Sequence, residues 1–311
     1  MLAVLGVVAP VFVIVAAGWL AVRTRRFAGT GVDGLMRFAT NFAVPTLLAL
    51  SIFRLDLDAV FDWRMLLSFY GAASLCFACA IATARLVWRR RPGESVAIGF
   101  AALFSNSVLF GIPIMTAAFG TPALDPMFAI ISVHAPFCYL LGIVTMEIAR
   151  REGGSRRETA VRAARAMFSN AMTLGIVAGF ALNLSGLPAP AFLVRAAEML
   201  AAAALPAALF ALGGALTRYG LRADFGVAAM TVGLSLLVHP GLAWTLAAGL
   251  FALPPEMVRA AVVTAAMPPG LNVFLFATLY GRAQGAAASA VLIGTAASVV
   301  SISFWLWALG A

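Results

Sequence analysis

The chain has 311 residues, of which 63% are hydrophobic and only 11% are charged. Because an ordinary soluble domain carries roughly 25% charged residues, this composition excludes a soluble globular protein. The formal net charge is +9, and all 21 basic residues are arginines. Most of them stand in short runs between apolar segments, so they predict membrane orientation rather than a nucleic-acid partner.

A helix that crosses the hydrocarbon core of a bilayer needs about 20 apolar residues. The hydrophobic pattern predicts ten such spans, joined by short connections that leave no room for a separate soluble domain. In chain order the spans cover residues 3–22, 34–53, 65–88, 96–119, 124–148, 171–187, 192–216, 225–253, 257–280 and 285–309. We therefore predict an all-α membrane protein with ten transmembrane helices.

The arginines predict which way the spans face. One alternating set of connections holds 17 of the 21 arginines, and the other set holds only Arg54, Arg64, Arg195 and Arg259. Since positive charge collects in cytoplasmic loops, the Arg-rich connection at 150–168 is predicted to lie in the cytoplasm. Five spans precede it and five follow it, so both termini are predicted to lie outside the cytoplasm.

Landmarks of the first half recur in the second half at a spacing of 161 residues. The matched pairs are Gly18 and Gly179, Pro45 and Pro206, and Gly120 and Gly281. Because each half has an odd number of spans, the second half must enter the membrane upside down, as in the inverted repeats of secondary transporters. We predict repeats at 1–149 and 169–311, joined by the connection at 150–168. Chance matching in a Gly- and Ala-rich chain is the alternative.

The fourth and ninth predicted spans carry helix-breaking residues at equivalent places. Pro268 and Pro269 stand side by side in the ninth span and lack the backbone N–H that a helix needs. Inside a bilayer such a break is tolerated only where it is buried in protein or lines a water-filled cavity. We therefore predict two broken helices, with candidate binding residues Ser105, Asn106, Ser107, Gly111, Pro113, Pro268, Pro269, Gly270 and Asn272.

These breaks predict an anion site. Pro113 and Pro269 suit the first turn of a new helix, and a helix start has unpaired N–H groups and partial positive charge. No arginine lies near the centre of any span. A carboxylate would therefore be bound by backbone N–H groups and by the side chains of Asn106, Asn272, Ser105 and Ser107. The alternative is a pair of packing kinks in which the asparagines cap the freed backbone.

Four more residues are candidates within other spans. Asn41 and Pro45 in the second span again pair a polar residue with a proline, and Asn41 either lines the same cavity or satisfies its own helix. His134 in the fifth span and His239 in the eighth titrate near neutral pH and are candidates for ion coupling. The alternative for each is a neutral imidazole bonded to a carbonyl freed by the proline that closely follows it.

The segments FSNSVLFGIP and AAMPPGLNVFLFATLYG, with NFAVPTLL and LPAALFALGGAL, resemble the auxin efflux carrier family over essentially the whole chain. The resemblance implies ten helices in two inverted five-helix repeats, divided between a scaffold domain and a transport domain. It implies that the fourth and ninth helices cross at unwound centres beside the substrate. On this chain the matching residues are Asn106, Pro113, Pro268, Pro269 and Asn272.

The same resemblance implies elevator-like alternating access of organic anions. Bacterial members of the family include malate and malonate permeases. The central connection here has only about twenty residues, far fewer than in plant members. A compact permease of the bacterial inner membrane is therefore favoured over a carrier of auxin itself.

The predicted function is secondary active transport of small organic anions. An intramembrane enzyme or a channel-like pore that uses the same midplane cavity is the alternative, although no HExxH, GxSxG, Asp-rich or filter-like motif occurs. No nucleotide-binding loop occurs either, so ATP-driven transport would need a partner subunit. We expect no cofactor and no metal ion. The expected partners are the anion, a coupling proton or sodium ion, the lipid bilayer and a second copy in a homodimer.

Overall fold

The computed structural model describes residues 2–150, 161, 164, 165, 168, 170–218 and 224–311. In these ranges the backbone is helical or irregular, with no β-strand beyond an isolated antiparallel bridge between Ser105 and Pro269. Two short turns, Leu57–Val60 and Thr121–Ala123, stand between the longer helices. The longer helices are α1 Leu2–Arg23, α2 Gly29–Phe53, α3 Trp63–Leu86, α4 Pro92–Leu103, α5 Ser107–Phe119, α6 Leu124–Arg150, α7 Ala171–Ser185, α8 Ala191–Leu216, α9 Phe225–Leu250, α10 Pro255–Ala265, α11 Leu271–Leu279 and α12 Gln284–Ala308.

Among the described residues, seven helices are long and apolar enough to cross a membrane: α1, α2, α3, α6, α8, α9 and α12. The prediction of an all-helical membrane protein is thereby confirmed. The other three predicted spans hold shorter helices. The sixth is the 15-residue α7, and the fourth and ninth are each divided in two, as α4 with α5 and α10 with α11. The count of ten spans in an inverted repeat stays a prediction.

In three helices a π-helical segment precedes a proline. A proline cannot donate to the carbonyl four residues before it, and the preceding turn widens into a π-helical segment, a feature often found at functional sites. In each case the segment ends two residues before the proline. The segments are Ala39–Ala43 before Pro45, Ser107–Gly111 before Pro113, and Leu234–Val238 before Pro240.

The chain forms two compact units, and each takes segments from both halves of the sequence. The larger unit comprises Met1–Ala9, Phe61–Ala163 and Tyr219–Ala311, and the smaller unit comprises Pro10–Val60 and Ala164–Arg218. The predicted repeats at 1–149 and 169–311 divide the chain by its expected symmetry, whereas the compact units divide it by contacts. The repeats stay a prediction. Most of the predicted cytoplasmic connection at 150–168 lies outside the described residues.

In the smaller unit, helices approach so closely that only glycine fits at the contact. A Cβ on Gly18 of α1 would overlap the backbone oxygen of Phe210, and one on Gly179 of α7 would lie 2.7 Å from that of Ala49. Small residues of this kind let membrane helices pack backbone to backbone. Gly179 follows Gly18 by 161 residues, and Phe210 follows Ala49 by the same number. The spacing that relates the two halves in sequence thus also relates two helix contacts.

In the larger unit, the divided helices pack on undivided ones. The rings of Phe100 in α4 and Phe276 in α11 stack with centroids 3.9 Å apart. Gly142 of α6 lies against this pair, since a Cβ there would be 2.7 Å from the Phe100 ring. Gly294 of α12 lies against the ring of Pro269 in the same way, at 2.8 Å. The divided helices therefore pack closely against α6 and α12 at these two glycines.

Candidate functional site

The first break separates α4 from α5 by Phe104, Ser105 and Asn106. Phe104 is extended (φ −96°, ψ 98°), and Asn106 leaves the helical region (φ −80°, ψ 59°). Ser and Asn side chains compete with helical hydrogen bonds, yet no proline stands in this break. Partners within the larger unit hold its backbone: the Asn106 N–H donates to the Pro268 carbonyl at 2.8 Å, and the Ser105 carbonyl accepts from His134 Nε2 at 3.1 Å.

The second break separates α10 from α11. Pro268 and Pro269 cannot donate backbone hydrogen bonds, and the residue before a proline disfavours the helical conformation, so α10 ends at Ala265. Gly270 is extended (φ −95°, ψ −179°) and directly precedes α11. A Cβ on Gly270 would lie 3.1 Å from Cγ of Asn106, so the glycine leaves room for the asparagine side chain. The two breaks run antiparallel past each other and share the isolated bridge between Ser105 and Pro269. We call this place the crossing.

The helices that begin at the two breaks have uncapped N-termini. At two other helix starts, Asp62 before α3 and Asn170 before α7 each accept the backbone N–H of the residue two positions further on, at 2.7 and 2.9 Å. Asparagine is one of the strongest capping residues, yet Asn106 makes no such bond to α5, and Gly270 before α11 has no side chain to make one. The positive ends of two helices therefore stay open at the crossing.

Polar side chains at the crossing are deeply buried. Ser105, Asn106 and Ser107 expose only 2%, 9% and 2% of their surface, and Asn272 in the first turn of α11 is half-buried. The hydroxyl of Ser105 has no hydrogen-bond partner. A buried polar group left unpaired costs about 1–3 kcal/mol. A solute that accepts a hydrogen bond from this hydroxyl would therefore be stabilised.

The structure brings nine of the eleven predicted binding residues together in the larger unit. Gly111 and Pro113 lie in α5, where a Cβ on Gly111 would overlap Met127 of α6, so this glycine lets the two helices pack. Asn41 and Pro45 belong to the smaller unit, with Asn41 exposed in a π-helical segment and Pro45 buried. The binding roles of all eleven stay predictions.

His134 is buried against the first break. A carbonyl oxygen only accepts, so the Nε2 atom that faces the Ser105 carbonyl carries the hydrogen. The Cys138 thiol lies 3.7 Å from Nδ1 and is placed to donate to it. In its neutral form the imidazole therefore has a partner at each nitrogen. The predicted bond to the carbonyl freed by Pro136 is wrong, because Nε2 bonds the Ser105 carbonyl in the first break instead.

His239 departs from the expected partner in the same way. Its Nε2 bonds the Phe69 carbonyl at 3.4 Å, and its Nδ1 is buried without a partner. The carbonyl freed by Pro240 is that of Leu236, and it accepts the indole N–H of Trp305 at 2.8 Å. Both histidines thus bond the carbonyl of a residue that is distant in sequence. The spacing of residues along the chain does not reveal such partners.

Tyr139 and Phe104 are neighbours of the site that the sequence did not single out. The Tyr139 hydroxyl donates to Oδ1 of Asn272 at 3.3 Å. The Phe104 ring packs against the rings of His134 and Tyr139, with centroids 4.7 and 5.8 Å away. Their only signal in sequence was an aromatic residue within an apolar segment, which is typical of packing residues.

The chemistry at the crossing is that of hydrogen-bond donation. Backbone N–H groups, a hydroxyl and amides converge there, and they suit a solute that accepts hydrogen bonds. Among the described residues, no group of three or more His, Cys, Asp and Glu is placed to hold a metal ion. The arrangement can therefore bind an anion through donors that the chain itself provides.

Comparison with known proteins identifies the chain. Residues 3–306 match the family described as membrane transport protein. A protein of Rhizobium meliloti named "Putative malonate transporter" is 28% identical over 305 residues, covering 97% of this chain and 94% of that protein. A protein of Methanothermobacter thermautotrophicus named "Uncharacterized transporter" is 25% identical over 280 residues, covering 87% of each. The chain is a transporter and not an enzyme, and it belongs to the membrane transport protein family, the auxin efflux carrier family that its broken segments predicted.

Proposed function

We propose that the protein is a secondary active transporter of small organic anions and that the crossing of the two breaks is its substrate site. The observation that carries this proposal is the pair of uncapped helix N-termini beside the unpartnered hydroxyl of Ser105. A helix N-terminus stabilises a negative charge by about 0.3–2 kcal/mol. Such ends bind carboxylates and phosphates without any basic side chain.

A carboxylate suits this site better than a neutral solute does. The hydroxyl of Ser105 and the amide N–H groups of Asn106 and Asn272 add to the backbone donors, whereas a carboxylate oxygen only accepts. Hydrogen bonds to a charged group are also about twice as strong as those between neutral groups. Because the donors are uncharged, the bound anion can leave again without breaking a buried ion pair.

Short dicarboxylates are the substrates that we propose. The Rhizobium meliloti relative is named for malonate, which carries a negative group at each end. The two helix starts at the crossing, α5 and α11, offer one positive end to each group. Malonate and malate are therefore the first solutes to test.

The proposed architecture is ten spans in two inverted repeats, with both termini outside the cytoplasm of a bacterial inner membrane. The paired glycine contacts of the smaller unit, related by 161 residues, support the repeat. We propose elevator-type alternating access in which the larger unit carries the anion and the smaller unit serves as scaffold and as the interface of a homodimer. Proteins with inverted repeats bind substrate where broken helices meet.

A proton or sodium gradient is the proposed energy source. Of the two buried histidines, His239 is the better candidate for a coupling proton, because its Nδ1 has no partner whereas both nitrogens of His134 face one. Transport by His134→Gln and His239→Gln variants should be measured with and without a pH gradient. Retained dependence on the pH gradient in both variants would reject coupling through either histidine.

Counterflow in proteoliposomes tests the proposed function. Vesicles loaded with malonate, malate or succinate should exchange the internal anion for labelled malonate outside, whereas vesicles loaded with acetate, which has a single carboxylate, should exchange less. Asn106→Ala and Asn272→Ala should each reduce exchange at least about tenfold, since a hydrogen bond to a charged group contributes about 1.5–3 kcal/mol. A channel would show no counterflow, because it does not couple one solute to another.

Asn170→Ala is the matched control for these variants. This change also removes an asparagine side chain at a helix start, but Asn170 caps its own helix α7. It should lower the thermal stability slightly and leave the malonate KM unchanged. Full activity of both Asn106→Ala and Asn272→Ala would move the substrate site elsewhere.

A further inference from the structure

Helix α6 contacts both breaks through two buried side chains that lie five residues apart. His134 donates to the Ser105 carbonyl in the first break. Tyr139 donates to the side-chain oxygen of Asn272 at the start of α11. The two side chains expose only 3% and 8% of their surface. Side chains of the single helix α6 therefore hydrogen-bond to polar groups of both breaks.

The bond from Tyr139 decides which end of the Asn272 amide is available. A phenol hydroxyl that faces an amide oxygen donates to it, so Oδ1 is the occupied end. The amide nitrogen, with two N–H groups, is the end left for a ligand. Because Asn272 stands in the first turn of α11, these N–H groups add to the open backbone donors of that helix start.

The Tyr139 ring is held firmly enough to impose this orientation. It packs against the rings of Phe100 and Phe104, with centroids 5.6 and 5.8 Å away. Phe100 in turn stacks on Phe276, which lies on the same helix as Asn272. The hydroxyl and the amide are therefore carried by elements that pack on each other through aromatic rings.

We propose that Tyr139 is a positioning residue that makes the site selective for carboxylates by holding the Asn272 amide with its donor end free. This inference rests on the proposed function. Without the hydroxyl, the amide can rotate by half a turn and present its oxygen. That orientation repels a carboxylate and favours a solute that donates hydrogen bonds.

The test compares malonate with malonamate, in which one carboxylate is replaced by an amide, in the counterflow assay. Tyr139→Phe should raise the malonate KM roughly 3- to 10-fold, the range expected for loss of one buried hydrogen bond, with little change in maximal rate. The malonamate KM should change much less, so the preference for malonate falls. Tyr70→Phe is the matched control, since its buried hydroxyl donates to the Ile130 carbonyl at 2.7 Å and to neither break.

Variants of Asn272 test the same orientation without altering the aromatic packing. Asn272→Asp keeps an oxygen for Tyr139 but replaces the free amide nitrogen with a second carboxylate oxygen. It should therefore raise the malonate KM more than Asn272→Ala does. Adding Tyr139→Phe to Asn272→Ala should cause no further increase, because the hydroxyl acts only through that amide.

The possible failures are distinguishable. An unchanged malonate preference in Tyr139→Phe, an additive effect in the double variant, or an Asn272→Asp variant as active as Asn272→Ala would overturn the role of Tyr139 alone. A wild type that exchanges none of the four carboxylates would overturn the proposed function, and this inference with it.

Discussion

The two breaks have similar extended backbones, but for different physical reasons. The second break is imposed by its own residues, because Pro268 and Pro269 lack the N–H groups that would continue α10. The first break contains no proline. Its extended backbone is held by bonds from outside, through the Pro268 carbonyl and the imidazole of His134. One break is therefore locally determined, and the other depends on its partners.

This difference separates two tasks at the crossing. The locally determined break supplies a rigid carbonyl acceptor and, at Gly270, a gap into which the Asn106 side chain fits. The partner-dependent break is free of prolines and carries the buried side-chain donors, including the unpartnered hydroxyl of Ser105. We infer that a stiff segment positions a softer one, and that the softer one contacts the solute. The predictions below test this division of roles.

The largest effect is expected from replacing both prolines of the second break. Each proline disfavours a helix interior by about 3 kcal/mol relative to alanine, so Pro268→Ala/Pro269→Ala should join α10 and α11 into a continuous helix. The open start of α11 would disappear, and Asn106 would lose its acceptor. Counterflow should fall by up to about 30-fold, the effect of losing about 2 kcal/mol from one helix end. Amide hydrogen exchange at Met267 and Gly270, which flank the two prolines and carry an N–H in both proteins, should slow in parallel.

Pro188→Ala/Pro190→Ala is the control for this change. These two prolines are exposed in the connection between α7 and α8, so transport and exchange at the crossing should stay as in the wild type. If the variant at the second break kept fast exchange and normal counterflow, its prolines would not be what interrupts the helix. The contrast between the two breaks would then be lost.

Sequence patterns were sufficient where the cause is local. Runs of apolar residues located the long helices, and the proline pair located the second break. Helix α2 shows one limit, because it begins at Gly29, five residues before the predicted start. Asp33 in its first turns is a charged residue, which is unusual in an apolar span. In the structure the helix includes Asp33, whose carboxylate pairs with Arg218 at 2.6 Å.

The parts of the site that depend on distant partners could not be predicted. His134 bonds a carbonyl 29 positions earlier in the chain, and Tyr139 bonds a residue 133 positions later. No spacing rule connects such residues. The boundaries of the larger and the smaller unit do not follow from sequence spacing either, because each unit combines segments from both halves of the chain.

A smaller effect is expected from removing the partner of the first break. His134→Phe keeps a ring among Phe69, Tyr70 and Phe104 but leaves the buried Ser105 carbonyl without its donor. The free energy of unfolding should fall by about 1–3 kcal/mol. The malonate KM should rise several-fold, because the segment that carries the donors loses its anchor. Thermal unfolding in detergent and counterflow measure the two effects.

Trp305→Phe provides the comparison for His134→Phe. It also removes an aromatic N–H that donates to a buried carbonyl, that of Leu236, in the same unit but in neither break. Its stability should fall by a similar amount, while its malonate KM stays normal. A normal KM in His134→Phe as well would mean that the first break holds its shape without this bond.

The smallest effect concerns an ordinary, capped helix start. Asp62 precedes α3 outside the predicted membrane core, and its carboxylate bonds the side chain and the backbone N–H of Arg64. The hydrogen bonds from Arg64 hold the pKa of this carboxyl below its usual range, against the opposing effect of partial burial. A carboxyl with a lowered pKa in the folded state stabilises the fold at neutral pH. That contribution is lost as the pH falls below about 4, through the folded-state pKa.

Asp62→Asn keeps an oxygen for the cap but removes the charge, so at pH 7 it should lower the free energy of unfolding by no more than about 1 kcal/mol. The difference from the wild type should shrink as the pH is lowered from 7 to 3, as measured by thermal unfolding in detergent. A difference that stayed constant over this range would show that the carboxylate of Asp62 does not stabilise α3. Unlike the starts of α5 and α11, this helix start already has its anion, so the malonate KM should not respond to the substitution.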